Sequence, residues 1–234
     1  MDENIYAEIE CIGVNGGSTH VRESIIRETA LTILVDDQHV ATAMIVAVMA
    51  KEYVTGYLYL QGHIHHVSDI LSIEIENNIV GVKLKTGIEK RALPQTVHSS
   101  LKVRSEDVVN CVSAILTSPI FEETGAVHSA GLFLGGKEAV AIAEDLGRHN
   151  ALDKVIGAGL LKNVDFSKAL ATSTGRQPAE MILKCLSAGI PIIATKGVPT
   201  SLGVELAEKA GITIVGLVRK NSMIVYTHPE RIEL

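Results

Sequence analysis

Apolar positions along the chain follow two different periods. Up to about residue 85, apolar and polar residues mostly alternate, the period of half-buried strands. From Ser105 onward, short apolar runs are interleaved with stretches whose apolar residues recur every three or four positions. Ile5 to Glu10 partly alternates, and Val14-Asn15-Gly16-Gly17-Ser18 is a turn signal. Glu28 to Val35 and the run from Val40 flank Asp36-Asp37-Gln38-His39 as a second hairpin. Ile70 to Glu76 and Ile79 to Lys85 flank Asn77-Asn78 as a third. Between these, Ala43 to Leu60 reads as a buried helix from its Met, Ala and Lys content, with Gly56 inside it and Gly62-His63 at its end.

Residues 86–104 carry neither period. Thr86-Gly87 and Pro94 punctuate them, and Thr96 to Ser100 is small and polar, so the domain junction is placed here. Ser105 then reads as an N-cap, with Glu106 and Asp107 in the first turn. Val108, Val109, Val112, Ile115 and Leu116 form the buried stripe, and Pro119 is the stop. Val127–Leu134 and Glu138–Ala143 read as strands joined by Gly135-Gly136. Asn150 reads as the cap of a helix carrying Leu152, Val155, Ile156 and Leu160. A strand at Ala169–Thr172 leads through Ser173-Thr174-Gly175-Arg176-Gln177 into a helix opened by Pro178. Met181, Ile182, Cys185 and Leu186 are its apolar face, and Gly189 closes it. Ile190–Thr195, a helix over Ser201–Ala210 closed by Gly211, and strands at Ile212–Val218 and Met223–Tyr226 complete the pattern. Strands alternating with helices of this length predict right-handed crossovers. The expected fold class is α/β: a domain over residues 101–234 with a mostly parallel sheet, behind a smaller β-rich domain with one helix over residues 1–100.

Composition narrows the class. With 234 residues, no Trp and three Phe, the core must be built from Ile, Val, Leu and Ala. A net charge of −6 argues against general nucleic-acid binding by bulk electrostatics. Cys11, Cys111 and Cys185 form no CxxC pair, which fits a reducing compartment and argues against a disulfide framework or a structural zinc. The acidic start Met1-Asp2-Glu3-Asn4 is unlike a secretory signal, and the longest apolar run, Val40 to Ala50, is too short to cross a bilayer. The expectation is a soluble cytoplasmic protein.

Polar chemistry concentrates in Glu144-Asp145-Leu146-Gly147-Arg148-His149-Asn150. Arg148 and His149 at a helix N-terminus suit a phosphate or carboxylate; a polar turn with a satisfied Glu–Arg pair explains the same residues equally well. The loops of this half carry further basic residues: Arg176, Lys196, and Arg219-Lys220 after the last long strand. In an open α/β sheet such loops gather at the carboxyl edge, where ligands bind. Ser173-Thr174-Gly175 and Thr200-Ser201 allow close approach of backbone to an anion, and a nucleotide-like diphosphate is the expected ligand. Gly131-x4-Gly136-Lys137 resembles a P-loop, but Glu138 follows and the context is a hairpin. The zinc-deaminase HxE and PCxxC pair is missing. His63, His65 and His66 are read as a solvated loop rather than a metal site.

Five stretches resemble a known family: His128-Ser129-Ala130-Gly131-Leu132; Glu144-Asp145-Leu146-Gly147-Arg148-His149-Asn150-Ala151-Leu152-Asp153-Lys154; Ser173-Thr174-Gly175-Arg176 with Glu180-Met181; Pro199-Thr200-Ser201-Leu202-Gly203-Val204-Glu205-Leu206-Ala207-Glu208; and Val225-Tyr226-Thr227-His228-Pro229. In content and spacing they look like the FdhD/NarQ formate dehydrogenase accessory family, with a weaker likeness over Gly56 to Gly62. The resemblance implies a cytidine-deaminase-like three-layer domain without a structural metal, and a cytoplasmic homodimer. It implies sulfur transfer from a cysteine desulfurase to the molybdenum cofactor of formate dehydrogenase or a related molybdenum or tungsten enzyme. The implied ligand is bis-molybdopterin guanine dinucleotide, and the family's ligand segment corresponds to Leu217, Val218, Arg219, Lys220, Asn221 and Ser222. With Arg148, His149, Ser173, Arg176, Lys196 and Thr200 these are the expected binding residues. The chain departs from the family at two points: the carrier cysteine of a CGxCG loop is expected between Leu93 and Arg104, where Pro94 to Arg104 contains none, and Asn221-Ser222 stands where the family usually has a glycine-arginine pair. Persulfide chemistry requires a thiolate. Cys111 is the candidate substitute, and a non-catalytic cofactor-binding chaperone is the alternative reading.

Overall fold

The computed structural model describes residues 5–234, so the acidic start lies outside it. Strands β1 (Tyr6–Val14) and β2 (Ser18–Ile26) pair only with each other, as a long ribbon. Strands β3 (Thr29–Val35), β4 (Gln38–Ile45), β5 (Ile70–Glu76) and β6 (Ile79–Leu84) form a four-stranded sheet in the order β4-β3-β6-β5. The β3–β4 turn is made by Asp36 and Asp37, both at positive φ, as a tight two-residue hairpin requires. Helix α1 (Ala50–Leu60) covers this sheet, setting Tyr53, Val54 and Leu58 against Leu31, Ile33, Val80 and Val82.

The second half contains β7 (Val103–Arg104), α2 (Ser105–Ala114), α3 (Pro119–Thr124), β8 (His128–Leu134), β9 (Glu138–Asp145), α4 (Arg148–Leu161), β10 (Ala169–Ser173), α5 (Ala179–Ala188), β11 (Ile192–Thr195), α6 (Ser201–Ala210), β12 (Thr213–Arg219), β13 (Ser222–Val225) and β14 (Ile232–Glu233). Six strands form one sheet, ordered β13-β12-β11-β10-β8-β9. Leu152, Val155 and Ile156 of α4, Met181 and Ile182 of α5 and Ala207 of α6 share one core with Leu132, Ala171 and Ile193. On the opposite face, Val108 and Val112 of α2 pack on Phe133, Leu170, Ile192 and Val215. The result is a three-layer α/β unit.

Several expectations are corrected. The large sheet is mixed rather than mostly parallel. Only β10–β11 and β11–β12 pair in parallel, because the short turns at Gly135-Gly136 and Lys220-Asn221 can make only antiparallel hairpins. Ala43–Ile45 belong to β4, and α1 begins only at Ala50, after Met49 in the left-handed region. Pro119 opens α3 instead of ending α2, as a first-turn proline can. Helix α2 is preceded by Arg104, and Ser105 is its first residue.

Helices α1 and α4 cross at near backbone contact. A Cβ on Gly56 would overlap the Asp153 carbonyl oxygen, and one on Gly157 would overlap the Glu52 carbonyl oxygen. Gly56 is therefore what brings the small sheet's helix against the large unit. The aperiodic segment after β6 runs past the carboxyl ends of α5 and α6. Arg91 donates to Ser187 O and Tyr59 O, each at 2.9 Å, and lies 4.0 Å over the Tyr59 ring. Val97 N donates to Ala210 O (2.7 Å) and Ser99 Oγ to Ser167 O (2.6 Å). This strap follows the edge at which β10, β11 and β12 begin.

Candidate functional site

The stretch from Glu144 to Lys154 divides between structure and site. Glu144, 7 % exposed and one residue before the end of β9, accepts the Ile120 and Phe121 amides (3.1 and 2.8 Å), so it fixes the start of α3. Asp145 is fully buried and pairs with the fully buried Lys154 at 2.7 Å. Its second oxygen accepts from Asn150 Nδ2 (2.9 Å), and it also accepts the Val46 amide (3.2 Å). Lys154 Nζ donates to Val46 O (2.9 Å) and Glu144 O (3.0 Å), and Asn150 donates to Met44 O (2.8 Å). Asp145, Asn150 and Lys154 thus clamp the end of β4 to the large unit. The expected cap at Asn150 is corrected: α4 starts at Arg148 after Gly147, and the Asn150 side chain is committed to Met44 and Asp145.

One turn further, Asp153 is buried and receives Lys184 Nζ at 2.6 Å. Burial raises its pKa to about 6, opposed by Lys184 and supported by Asp145. A carboxyl whose folded pKa lies above its ordinary value stabilises the fold when protonated. That contribution is complete below the ordinary value and is lost as pH rises through about 6. The stability of Asp153→Asn relative to wild type should therefore increase between pH 4.5 and 7.5 in urea unfolding. A pH-independent difference would contradict this assignment.

Arg148 and His149 sit in the first turn of α4 and part company. His149 places Nε2 3.1 Å from Glu180 Oε2 on α5, beside Leu183 and Lys184, and burial holds its pKa below the usual histidine value. Arg148 packs on Gly175, where a Cβ would strike its side chain. Its Nε is buried with no hydrogen-bond partner among the described residues.

The carboxyl edge is built by interlocked loops. Thr195 Oγ1 donates to Gly175 O (2.6 Å), Leu217 N to Gly197 O (2.8 Å), and Thr200 N to Gln177 O (3.1 Å). Arg219 Nη1 donates to Lys196 O (2.8 Å) and Val218 O (2.9 Å), so its guanidinium shapes the Lys196 loop. Leu217, at φ 50°, interrupts the β12–β13 register where this contact forms. Ser173 is buried and accepts the Gly175 amide, while Thr200 caps α6 through Gly203 N. Val218 is buried. Arg176, Lys196, Lys220, Asn221 and Ser222 are exposed.

Against this edge lies a cleft of about 450 Å³. Ile115, Leu116, Phe121 and Leu146 give it apolar walls, and His128, Ser129, Thr174 and Lys196 give it polar ones. Of the expected residues, Lys196 lines it directly. His149 belongs to a separate depression with Leu60, Leu93 and Glu180. His128 and Thr174 were not among the expected binding residues. They meet because β8 runs antiparallel to β10, with Ala130 opposite Ser173, which returns the start of β8 to the loop edge. Thr174 Oγ1 accepts from Ser129 N (3.1 Å) and lies 3.2 Å from His128 Nδ1. Thr174 Oγ1 carries one hydrogen and two lone pairs, so either ring tautomer of His128 satisfies both contacts. Burial, and then Arg148, lower the His128 pKa, so the ring is neutral at pH 7.

Cys111 is corrected as a substitute thiol. It lies on the buried face of α2 at 3 % exposure, donates to Gly136 O (3.1 Å), and burial pushes its pKa up to about 12. The three loop histidines do not converge: His65 Nε2 contacts Glu89 O at 2.9 Å, and among the described residues no cluster of three or more His, Cys, Asp or Glu is placed to hold a metal.

The FdhD/NarQ family profile matches residues 26–98 and 85–233. The chain is 31% identical to the sulfur carrier protein FdhD of Methanothermobacter thermautotrophicus, over 98% of this chain and 99% of that one. It is 36% identical to the sulfur carrier protein FdhD of Sulfurisphaera tokodaii, over 78% of this chain and 80% of that one. The crystal structure of a putative formate dehydrogenase accessory protein from Desulfotalea psychrophila superposes with a TM-score of 0.88 at 30% identity, covering 98% of this chain and all of that one.

Proposed function

The chain belongs to the FdhD/NarQ family, and on that premise we propose that it serves formate dehydrogenase maturation as a protein of sulfur delivery, as its relatives' names describe. Those names favour sulfur handling over a bare cofactor-binding chaperone. The observation that carries the site assignment is the cleft itself. It joins an apolar wall to Lys196, His128 and Thr174, with Arg148 close enough for its charge to lower the His128 pKa. This combination suits a flat ring carrying phosphate, since charged donors to phosphate make the stronger hydrogen bonds. The cargo we assign is bis-molybdopterin guanine dinucleotide. At about 450 Å³ the cleft is sized for one nucleotide-like part of it.

A cysteine desulfurase is the proposed sulfur source, and the cytoplasm the proposed site of action. Among the described residues no helix is long and apolar enough to cross a membrane. A second copy of the chain is placed at the β1–β2 ribbon. An isolated two-stranded ribbon is marginal in water, and this one exposes Ile9 and Ile25 on a shared face. Ile9→Glu with Ile25→Glu should convert a dimer to a monomer in sedimentation equilibrium; a wild-type monomer would refute the assignment.

The functional test is formate dehydrogenase activity in cells lacking this protein. Activity should be lost, return with the wild-type chain, and return only in part with Lys196→Ala. Undiminished activity without the protein would end this reading.

A further inference from the structure

We propose that sulfur reaches the Lys196–His128 cleft on the cysteine persulfide of a second polypeptide, and that no cysteine of this chain carries it. The inference rests on the sulfur-delivery reading above and specifies its partner.

All three cysteines lie within the described residues, and none lines the cleft. Cys185 faces the core from α5 at 0 % exposure, and Cys111 lies beneath the sheet on α2. Burial raises both thiols to about 12. At neutral pH that leaves roughly one thiolate in 10⁵, and the thiolate is the species that reacts. Neither sulfur can reach a polypeptide donor without unpacking the core. Cys11 is partly exposed, but it sits on the ribbon five residues beyond Tyr6, where β1 joins the Ile120–Val127 cluster. At about 3.4 Å per residue, that is some 17 Å along the ribbon from its root. The strap over residues 85–102 contains no cysteine, and it follows the opposite edge of the sheet from the cleft.

The cleft, by contrast, is open to a visiting chain. Phe121, Gly125 and Ala126 line it and are exposed, and Gly125 has open space around it. The partner is a polypeptide presenting a persulfidic cysteine on a slender loop or tail. In the transfer, an electron pair of the cargo's sulfur-accepting atom, held beside the cleft by the nucleotide part seated in it, forms a bond to the outer sulfur, which keeps its proton; the acceptor is oxidised by two electrons and the persulfide is reduced by two. The S–S bond breaks, and the inner sulfur leaves as the partner's thiolate. Atoms and charge balance, and no cysteine of this chain changes oxidation state.

The test combines two readouts. Purified wild-type chain is incubated with a cysteine desulfurase and L-cysteine, and its intact mass is measured under non-reducing conditions. In parallel, cells carrying Cys11→Ser in place of the wild-type protein are assayed for formate dehydrogenase. The proposal expects no sulfur added to the chain, and activity within about twofold of wild type. A sulfur adduct on Cys11, Cys111 or Cys185, or an approximately tenfold or greater loss with Cys11→Ser, would overturn it. The mass measurement needs no core variant and is independent of folding defects. If cells lacking the protein keep full activity, the sulfur-delivery reading fails instead. A cysteine-borne adduct together with dependence on the protein defeats only the inference.

Discussion

Gly157→Leu is expected to unfold much of the protein at temperatures the wild type tolerates. Even a Cβ at this position overlaps the Glu52 carbonyl oxygen, and that atom belongs to a helix backbone that cannot rotate away. Relief requires α1 and α4 to move apart. That would open the contacts of Tyr53, Val54 and Leu58 on one side and of Leu152, Val155 and Ile156 on the other. Overpacking a flexible core costs about 1–3 kcal/mol, and a backbone clash belongs at or above the top of that range. Gly157→Ala should show the same direction with a smaller effect. The measurement is the urea midpoint at constant slope, and a midpoint unchanged in Gly157→Ala would mean the two helices are not in near backbone contact.

The second large effect is expected at Lys154. Its ammonium has no exposure and holds Asp145, Val46 O and Glu144 O together. Lys154→Ala strands a buried carboxylate and two carbonyls, for which a loss of about 3–5 kcal/mol is the usual scale. Lys154→Met with Asp145→Leu removes both charges and should recover part of that loss, since apolar replacement of a whole buried pair is often neutral. Equal stability of Lys154→Ala and wild type would show that the clamp contributes nothing. Because Glu144 also anchors α3, whose Phe121 lines the cleft, Lys154→Ala should disturb the site as well as the fold.

These residues show why the sequence was only partly readable. The Asp36-Asp37 and Asn77-Asn78 turns, the Ser201–Ala210 helix and its Gly211 cap depend on neighbours along the chain, and pattern alone located them. The start of α4 was misplaced because Asn150 looks like a cap. Its partner Met44 is 106 residues away, and nothing local announces it. The role of Gly56 is equally non-local: it lies in a crossing with a helix about a hundred residues later. The burial of Cys111 was signalled locally, since it stands three residues after Val108, which is helical spacing. The site was half legible. Basic residues in the βα loops pointed to the edge where the cleft lies, but whether a basic side chain reaches the cleft depends on its rotamer and neighbours. Lys196 reaches it, Arg219 is spent on Lys196 O, and His149 turns to Glu180. His128 enters through strand register, which a single sequence does not encode locally.

The most direct measurement is calorimetric titration of guanosine diphosphate into the wild-type protein, Lys196→Ala and His65→Ala. Lys196 lines the cleft, whereas His65 lies on a loop beside Glu89, away from it. Losing one charged donor to phosphate costs about 1.5–3 kcal/mol, so Lys196→Ala should bind roughly ten- to a hundredfold more weakly. His65→Ala should match wild type. Equal affinity of Lys196→Ala and wild type, or no binding by the wild type, would contradict the assignment of the Lys196–His128 cleft as the nucleotide site.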